Sequence, residues 1–500
     1  MHRSVKEESG LLVNRLLTWA FAVAVIRAMG HGRGMRMLLI NLAVLLMVAC
    51  GGAEDEQEAE IVEVRVDHPE SSSASNDIRP RLCADGEVLH VVWQDLRDGE
   101  SAIWYNRSED GGATWLTSDV RLDDDVGVAA APDVSCGEGR VYAVWVDDGR
   151  SAESALAGVQ LRASVDGGVS FGEAHWVDGE SEEGFGAITP VVAAHGASVA
   201  VAWADSRNGA YDIFVNVSTD AAATWFVSPV RVDGGEAGEA WSADPQLAIS
   251  SDGRVAVAWE DGRDGVADVY LSISPDYGQS FSEPLQLDVD ISAMGGESMQ
   301  PTLAMDGENL AVAWHEGDGQ GWGIAVTHSD DGGESWYDAE LISDASYEAF
   351  EAALAWDQGR LYVGWHEKHD AAYDVMFATD GGEGWSVPVQ LDTNGWGNTD
   401  SYEVRLIAGS GQVIAAWHDR RYDTAEVGMN DLYFSRSLDG GESWLLDDIR
   451  LNGGDPGNSY AQRCQISRHE EQLVGVWEDG RFGYSGVVAV VRDLDEVAGR

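Results

Sequence analysis

Ser108-Glu109-Asp110-Gly111-Gly112-Ala113-Thr114-Trp115 decides the fold, because it does not stand alone. The pattern of a small or hydroxyl residue, an aspartate two positions on, a tight small-residue turn and a closing aromatic returns at 164–171, 218–225, 274–281, 329–336, 378–385 and 437–444. The seven aspartates, Asp110, Asp166, Asp220, Asp276, Asp331, Asp380 and Asp439, are 49 to 59 residues apart. That period suits one four-stranded blade of a β-propeller rather than a solenoid coil.

A second motif keeps step with the first. Trp93, Trp145, Trp203, Trp259, Trp314, Trp365, Trp417 and Trp477 each end a strand such as Val255-Ala-Val-Ala-Trp259, and each is followed two residues later by Asp or Glu. Large residues alternate with alanine there, so one face is bulky and the other flat, and neighbouring sheets can interdigitate. One unit reads as an inner strand from Pro245, the Trp strand, a third strand from Asp268, the Asp turn and an outer strand from Pro284. Val62–Asp67 has no partners before it, whereas the last unit, with Trp477 and a strand over 486–491, lacks an outer strand. The predicted fold is therefore all-β: a propeller over residues 61–500 with eight four-stranded blades, closed by 62–67 as the outer strand of the last blade. Seven blades is the alternative. Such exchange removes free sheet edges and ties the termini together.

Composition agrees and narrows the partners. The 500 residues carry 31 Lys+Arg against 87 Asp+Glu, a formal charge of −56, which excludes a nucleic-acid binder resting on a general basic surface. Hydrophobic residues make up 44%, enough for a large core, and 59 glycines with 20 tryptophans suit many short strands and tight turns.

The amino terminus reads as an address. From Met35 a single arginine precedes an apolar run that ends in Met47-Val48-Ala49-Cys50, too short for a stable membrane span. These four residues resemble a bacterial lipobox, with Met47 where leucine is usual. The resemblance implies that 35–49 is a lipoprotein signal peptide, that Cys50 is lipidated, and that the mature protein crosses the cytoplasmic membrane and is anchored in a bacterial cell envelope or at the cell surface. Residues 1–34 fit poorly into one signal, so Met35 reads as the true start, and 50–60 form an acidic tether with nothing to bury.

In the Asp turns, glycines supply positive φ, the Asp and hydroxyl side chains can bond turn amides, and the aromatic plugs the gap between strands, so seven copies read as structural. The turns resemble the Asp-box, or bacterial neuraminidase repeat, family of the sialidase superfamily, over about residues 61–500. The resemblance implies that the boxes lie opposite the face that binds ligand.

At the other end of each blade stand the acids Asp95, Asp147, Asp205, Asp261, Glu316, Glu367, Asp419 and Asp479. They are joined by Arg97, Arg150, Arg207, Arg263, Arg421 and Arg481, a pattern of local salt bridges. It breaks at Asp318 and His369, and blades five to seven add His315, His366 and His418, expected to pack between blades. No cofactor is required; calcium is chemically allowed at the Asp-rich turns, although no EF-hand-like run of ligands occurs.

Aromatics in the loops that lead into the inner strands, Trp241, Tyr347, Trp396, Tyr402 and Tyr460, are the candidate ligand-binding residues, since sugar rings stack on such faces. An enzyme of the sialidase type would need a tyrosine nucleophile assisted by a glutamate, an aspartic acid as acid/base and three arginines on the substrate carboxylate. The resemblance to that type implies a catalytic set drawn from Asp77, Arg79, Tyr402 or Tyr460, Glu403, Arg405 and Arg463. Arg79 and Arg463 share one register in blades that closure would make neighbours. Pro80, Pro132, Pro190, Pro245 and Pro301 share the next position, so Pro80 is a feature of the repeat.

Three functions fit these motifs: a lipid-anchored, monomeric envelope propeller that recognises a glycan or another extracellular ligand; an exo-acting glycoside hydrolase of exo-α-sialidase type; and a scaffold for an extracellular protein. Among Cys83, Cys136 and Cys464, an oxidising envelope allows one disulfide, either Cys83 with Cys464 across the closure or Cys83 with Cys136.

Overall fold

The computed structural model describes residues 61–495 apart from 69–78, 125–126, 150–155, 180–184, 290–295, 318–320, 345, 424–427 and 482–484. The proposed leader, Cys50 and the whole tether, Asp77, Arg150 and Asp318 lie outside the described residues.

Eight antiparallel four-stranded sheets make an eight-bladed propeller. Blade four shows the plan, with strands Ser242–Ile249, Val255–Asp261, Asp268–Ser274 and Leu285–Gln286. Blade eight takes Ala461–His469, Gln472–Asp479 and Gly486–Asp493 from the end of the chain and Glu63–Arg65 from its start. Glu63 lies opposite Val490 and Arg65 opposite Val488, which is the predicted closure. The inner strands touch in sequence around the axis, and that of blade eight returns to that of blade one.

The clasp is more than a backbone ladder. Val66 is fully buried, the Val487 N–H donates to Asp67 Oδ1 at 2.7 Å, and Arg481 donates to both oxygens of Glu63 at 2.9 Å.

Alternation in the second strands sets the packing between blades. Val255, Val257 and Trp259 pack on Ala200, Ala202 and Ala204 of blade three, whereas Ala256 and Ala258 receive Leu310, Val312 and Trp314 of blade five. All eight motif tryptophans are fully buried. Each contributes on the order of 4 kcal/mol by removing its aromatic surface from water.

One irregularity positions everything at the axis. Arg79, Ala131, Thr189, Asp244, Gln300, Glu351, Glu403 and Arg463, one per blade, have φ between 43° and 54°, a left-handed conformation that is strained for residues with a Cβ. In blades two to eight the pairing of the inner strand slips there, as between Phe350 and Ala353, which marks a β-bulge. Proline follows in five blades because the slip leaves that N–H without a ladder partner.

The Asp turns behave as their chemistry requires. In blade four, Asp276 Oδ1 accepts from the Ser274 hydroxyl at 2.9 Å and the Ser280 N–H at 2.8 Å, while Oδ2 takes the Ser280 hydroxyl at 2.6 Å. Ser274 in turn accepts the Gly278 N–H at 2.8 Å. Blade six departs: Ala378 offers no hydroxyl, and Asp380 accepts only from the amides of Gly382 and Gly384.

Cys83 and Cys136 form a disulfide between the inner strands of blades one and two, and Cys464 is buried and unpaired. The alternative bridge across the closure fails because Cys464 sits at the bulge, in the register of Pro80, three residues before the level of Cys83.

Candidate functional site

In an antiparallel blade the turn after the second strand lies at the opposite end from the turn after the third. The Trp-x-acid turns and the Asp boxes therefore face opposite ways. At the Trp end, salt bridges stitch the turns as expected: Arg97 to Asp95, Arg207 to Asp205 and Arg421 to Asp419, each at 2.6 Å, with Arg263–Asp261 and Arg481–Asp479 alike. The acid has a second duty that the spacing did not disclose. In six blades it accepts the indole N–H of its own tryptophan, at 3.0 Å for Trp259 to Asp261 and Trp365 to Glu367, whereas Trp93 and Trp417 make no such bond among the described residues. Blade six replaces arginine with His369, whose ring nitrogens meet Glu367 at 2.8 Å and Asp374 at 2.7 Å.

At the bulges the blades differ, and there a cavity of about 350 Å³ opens beside the axis. Arg79, Arg81, Arg405 and Arg463 line it together with Glu351 and Glu403. Blades one, seven and eight meet there through the closure of the ring, so arginines far apart in sequence share one space. Burial first, and then the charges of Arg405, Arg79 and Arg463, lower the pKa of Arg81 against the opposing attraction of Asp133. Arg463 donates to Glu478 at 2.7 Å, and Arg405 to its neighbouring carbonyl at Val404. The enclosing walls and the charge of Glu403 raise the pKa of Glu351, with Arg405 opposing.

A second cavity of about 610 Å³ adjoins the first and shares Gln300, His315 and Glu351 with it. Its other walls include Trp322, Phe350, His366, Tyr373 and Tyr402. His315 does pack between blades, since its Nε2 accepts the Glu351 N–H and its ring meets Phe350 edge-on at 5.6 Å. Yet His315 and His366 also face the cavity. Burial lowers the pKa of His315 and His418 to about 4 and that of His366 to about 3, so all three are neutral near pH 7. His418 lies 3.3 Å from Glu403 and stacks obliquely with Tyr402. Burial pushes the Tyr402 phenol up to about 12, against the charge of Arg420.

Of the residues singled out in the sequence, Arg79, Glu403, Arg405 and Arg463 meet in the first cavity and Tyr402 lines the second. Asp77 lies outside the described residues. The remaining aromatics do not converge. The carbonyls of Trp241 and Tyr460 accept the N–H of Gly262 and Gly480, so both residues cap the turns of their own blades. Trp396 and Tyr347 enclose His369, with rings 3.7 and 4.3 Å away. Arg81, Gln300 and Glu351 escaped notice although the register that picks out Arg79 and Arg463 also contains Gln300, before Pro301, and Glu351. Among the described residues no group of three or more His, Cys, Asp or Glu side chains is placed to hold a metal ion, and no helix is long and apolar enough to cross a membrane.

No family model matches the chain. A stretch of 163 residues is 23% identical to the anhydrosialidase of Macrobdella decora; it covers 30% of this chain and 20% of that protein, so the chain matches about one fifth of the length of its curated relative. Among solved structures, the propeller is similar to the Hadza microbial sialidase Hz136, at 16% identity and a TM-score of 0.38 over 69% of this chain and 75% of that one. It is also similar to the polysaccharide lyase Uly1, at 10% identity and a TM-score of 0.47 over 86% and 100%. A third is the α-L-arabinofuranosidase Arb93A of Fusarium graminearum, at 13% identity and a TM-score of 0.40 over 88% and 99%. At these identities the structural likeness concerns the fold.

Proposed function

We propose that this chain is a carbohydrate-recognising propeller whose axial cavity takes a sugar carrying a carboxylate, and that lipid on Cys50 holds it in the cell envelope. The observation that carries the reading is the meeting of Arg79, Arg81, Arg405 and Arg463 in one cavity of a chain with formal charge −56. A planar guanidinium matches a carboxylate in a fork of two hydrogen bonds. The curated relative is named an anhydrosialidase, which supports a glycan as the ligand.

Calorimetric titration with N-acetylneuraminic acid and with glucuronic acid tests this. Binding should weaken at least about tenfold in Arg405→Ala, the equivalent of roughly 1.4 kcal/mol. Failure of both acids to bind the intact protein overturns the reading. Palmitate labelling that persists in Cys50→Ser removes the lipid anchor.

A second reading is hydrolysis of an exo-glycosidic bond. Tyr402 and Glu403 are consecutive at the two cavities, and Glu351, the carboxyl with the raised pKa, lines both. Such a pair of carboxyls suits acid/base work on a glycoside. Turnover of a fluorogenic sialoside that disappears in Glu403→Gln supports hydrolysis, and inactivity from pH 4 to 8 rules out hydrolysis of that substrate.

A further inference from the structure

The repeat also gives way at the Asp-box end, in blade six. The other six boxes carry a hydroxyl at their first and seventh residues, as Ser437 and Ser443 do, whereas this box carries Ala378 and Gly384. Its backbone takes another path as well. Positive φ falls on its fifth and seventh residues, Gly382 and Gly384, where the others have it on the fourth and fifth, as at Gly440 and Gly441. Between this turn and the box of blade seven lies a cavity of about 600 Å³, within the range of about 300–1,000 Å³ that small ligands fill.

Arg360 lines this cavity, and its own repeat position shows what it lacks. It opens the second strand of blade six, Arg360–His369, and sits against Gly440 of the next box, as Arg254 sits against Gly332 and Gln472 against Gly111. Arginine recurs at this position as Arg140 and Arg254, and each has an acid two residues before it. Arg140 lies 3.4 Å from Glu138, and Arg254 lies 3.5 Å from Asp252. Before Arg360 stands Gln358, and the Arg360 guanidinium has no hydrogen bond or ion pair with any described residue. In a chain of formal charge −56, its donors are left to solvent or to a ligand. The other charged residues at the cavity are Glu383 and Glu442, both exposed. Val387 and Val389 also line it, and they are 83% and 40% exposed.

We propose that the cavity at box six binds a zwitterion with an aliphatic side chain, a free amino acid of the leucine type or a short apolar peptide. A simple carboxylate would meet Arg360 but also two glutamates, and a simple amine would meet the glutamates but also Arg360. A zwitterion offers each of the three an opposite charge. Its carboxylate takes the fork of the Arg360 guanidinium, its ammonium faces Glu383 and Glu442, and its aliphatic group covers Val387 and Val389. The site lies at the opposite end of the blades from the arginine cavity and does not depend on the sugar reading.

Calorimetric titration of the full propeller with L-leucine, leucyl-leucine, isovalerate and isoamylamine tests it. The tighter of the two zwitterions, which tells the free amino acid from the peptide, should bind about tenfold more tightly than isovalerate or isoamylamine, each of which lacks one charge. Arg360→Gln should weaken that binding at least about tenfold and leave the melting temperature unchanged, because Gln412 and Gln472 open the same strand in blades seven and eight. Glu383→Gln with Glu442→Gln should weaken the zwitterion and strengthen isovalerate. Failure of all four compounds to bind the intact protein, binding that survives Arg360→Gln, or a preference for zwitterions that survives the double glutamine variant overturns the proposal. N-Acetylneuraminic acid serves as the control, since its failure to bind overturns the sugar reading alone.

Discussion

The two ends of each blade solve different problems. At the Asp-box end six of the seven boxes use one set of side chains, Ser164 with Asp166 and Ser170 in the same bonds as Ser437 with Asp439 and Ser443. At the bulge end the same backbone position holds Arg, Ala, Thr, Asp, Gln, Glu, Glu and Arg in turn. Uniformity marks where the chain must turn, and divergence marks where the molecule can meet something other than itself. The turn bonds are local and identical, whereas the cavities need residues from blades five to eight and one.

The largest effect should come from breaking the ring that brings the divergent positions together. Deleting residues 61–67 removes Val66 from the core and the grip of Arg481 on Glu63, and should lower the melting temperature on the order of 10 °C. It should also abolish acid-sugar binding, since the arginines of blades one and eight would lose their mutual position. An unchanged melting curve would mean that the clasp carries no stability.

Acid should separate the two ends next. Buried neutral His315, His366 and His418 resist protonation until about pH 3–4, whereas an unfolded histidine takes a proton near 6.5. The unfolded chain therefore binds more protons between these values, and stability falls as pH drops from about 6.5 towards 4. The box aspartates act lower: hydrogen bonds from their turns hold Asp166 and Asp331 down to about 2, so their contribution is present above the ordinary carboxyl pKa and is lost as pH falls from about 4 to 2. In a series of melting curves, His418→Gln should flatten only the first of these slopes and Asp331→Asn only the second. A single slope unaffected by either would dissolve the distinction.

The smallest effect concerns a pair of acids within the sheets. Burial, and then the charge of Asp288, raise the pKa of Asp268 to about 7. At the matching place in blade seven an amide stands instead, and Asn452 donates to Asp431 at 2.9 Å. A raised carboxyl pKa costs stability as pH rises from about 4 through 7, so Asp288→Asn should gain a degree or two in melting temperature at pH 8 and little at pH 4. A loss at pH 8 would show that the pair is better charged than neutral.

Much of this architecture was legible because repetition carries it. The eight blades, the clasp at 62–67 and the salt bridges after Trp93, Trp203, Trp259, Trp417 and Trp477 follow from spacing and alternation, which are properties of neighbouring residues. The site was legible only in part. Arg79, Arg405, Arg463 and Glu403 could be picked out by register, but Trp322, Phe350 and Tyr373 come from three different strands and meet only in the folded ring. Trp241 and Tyr460 lie apart from both cavities, and a loop aromatic looks the same in sequence whether it lines a cavity or covers its own turn.

The left-handed residue that enters each inner strand has a consequence for how such a molecule can change. Because the extra residue stands outside the ladder, its side chain can be exchanged without disturbing the pairing below it. Eight such positions amount to a combinatorial rim, in which recognition can be rewritten one blade at a time while the barrel of tryptophans beneath stays as it was.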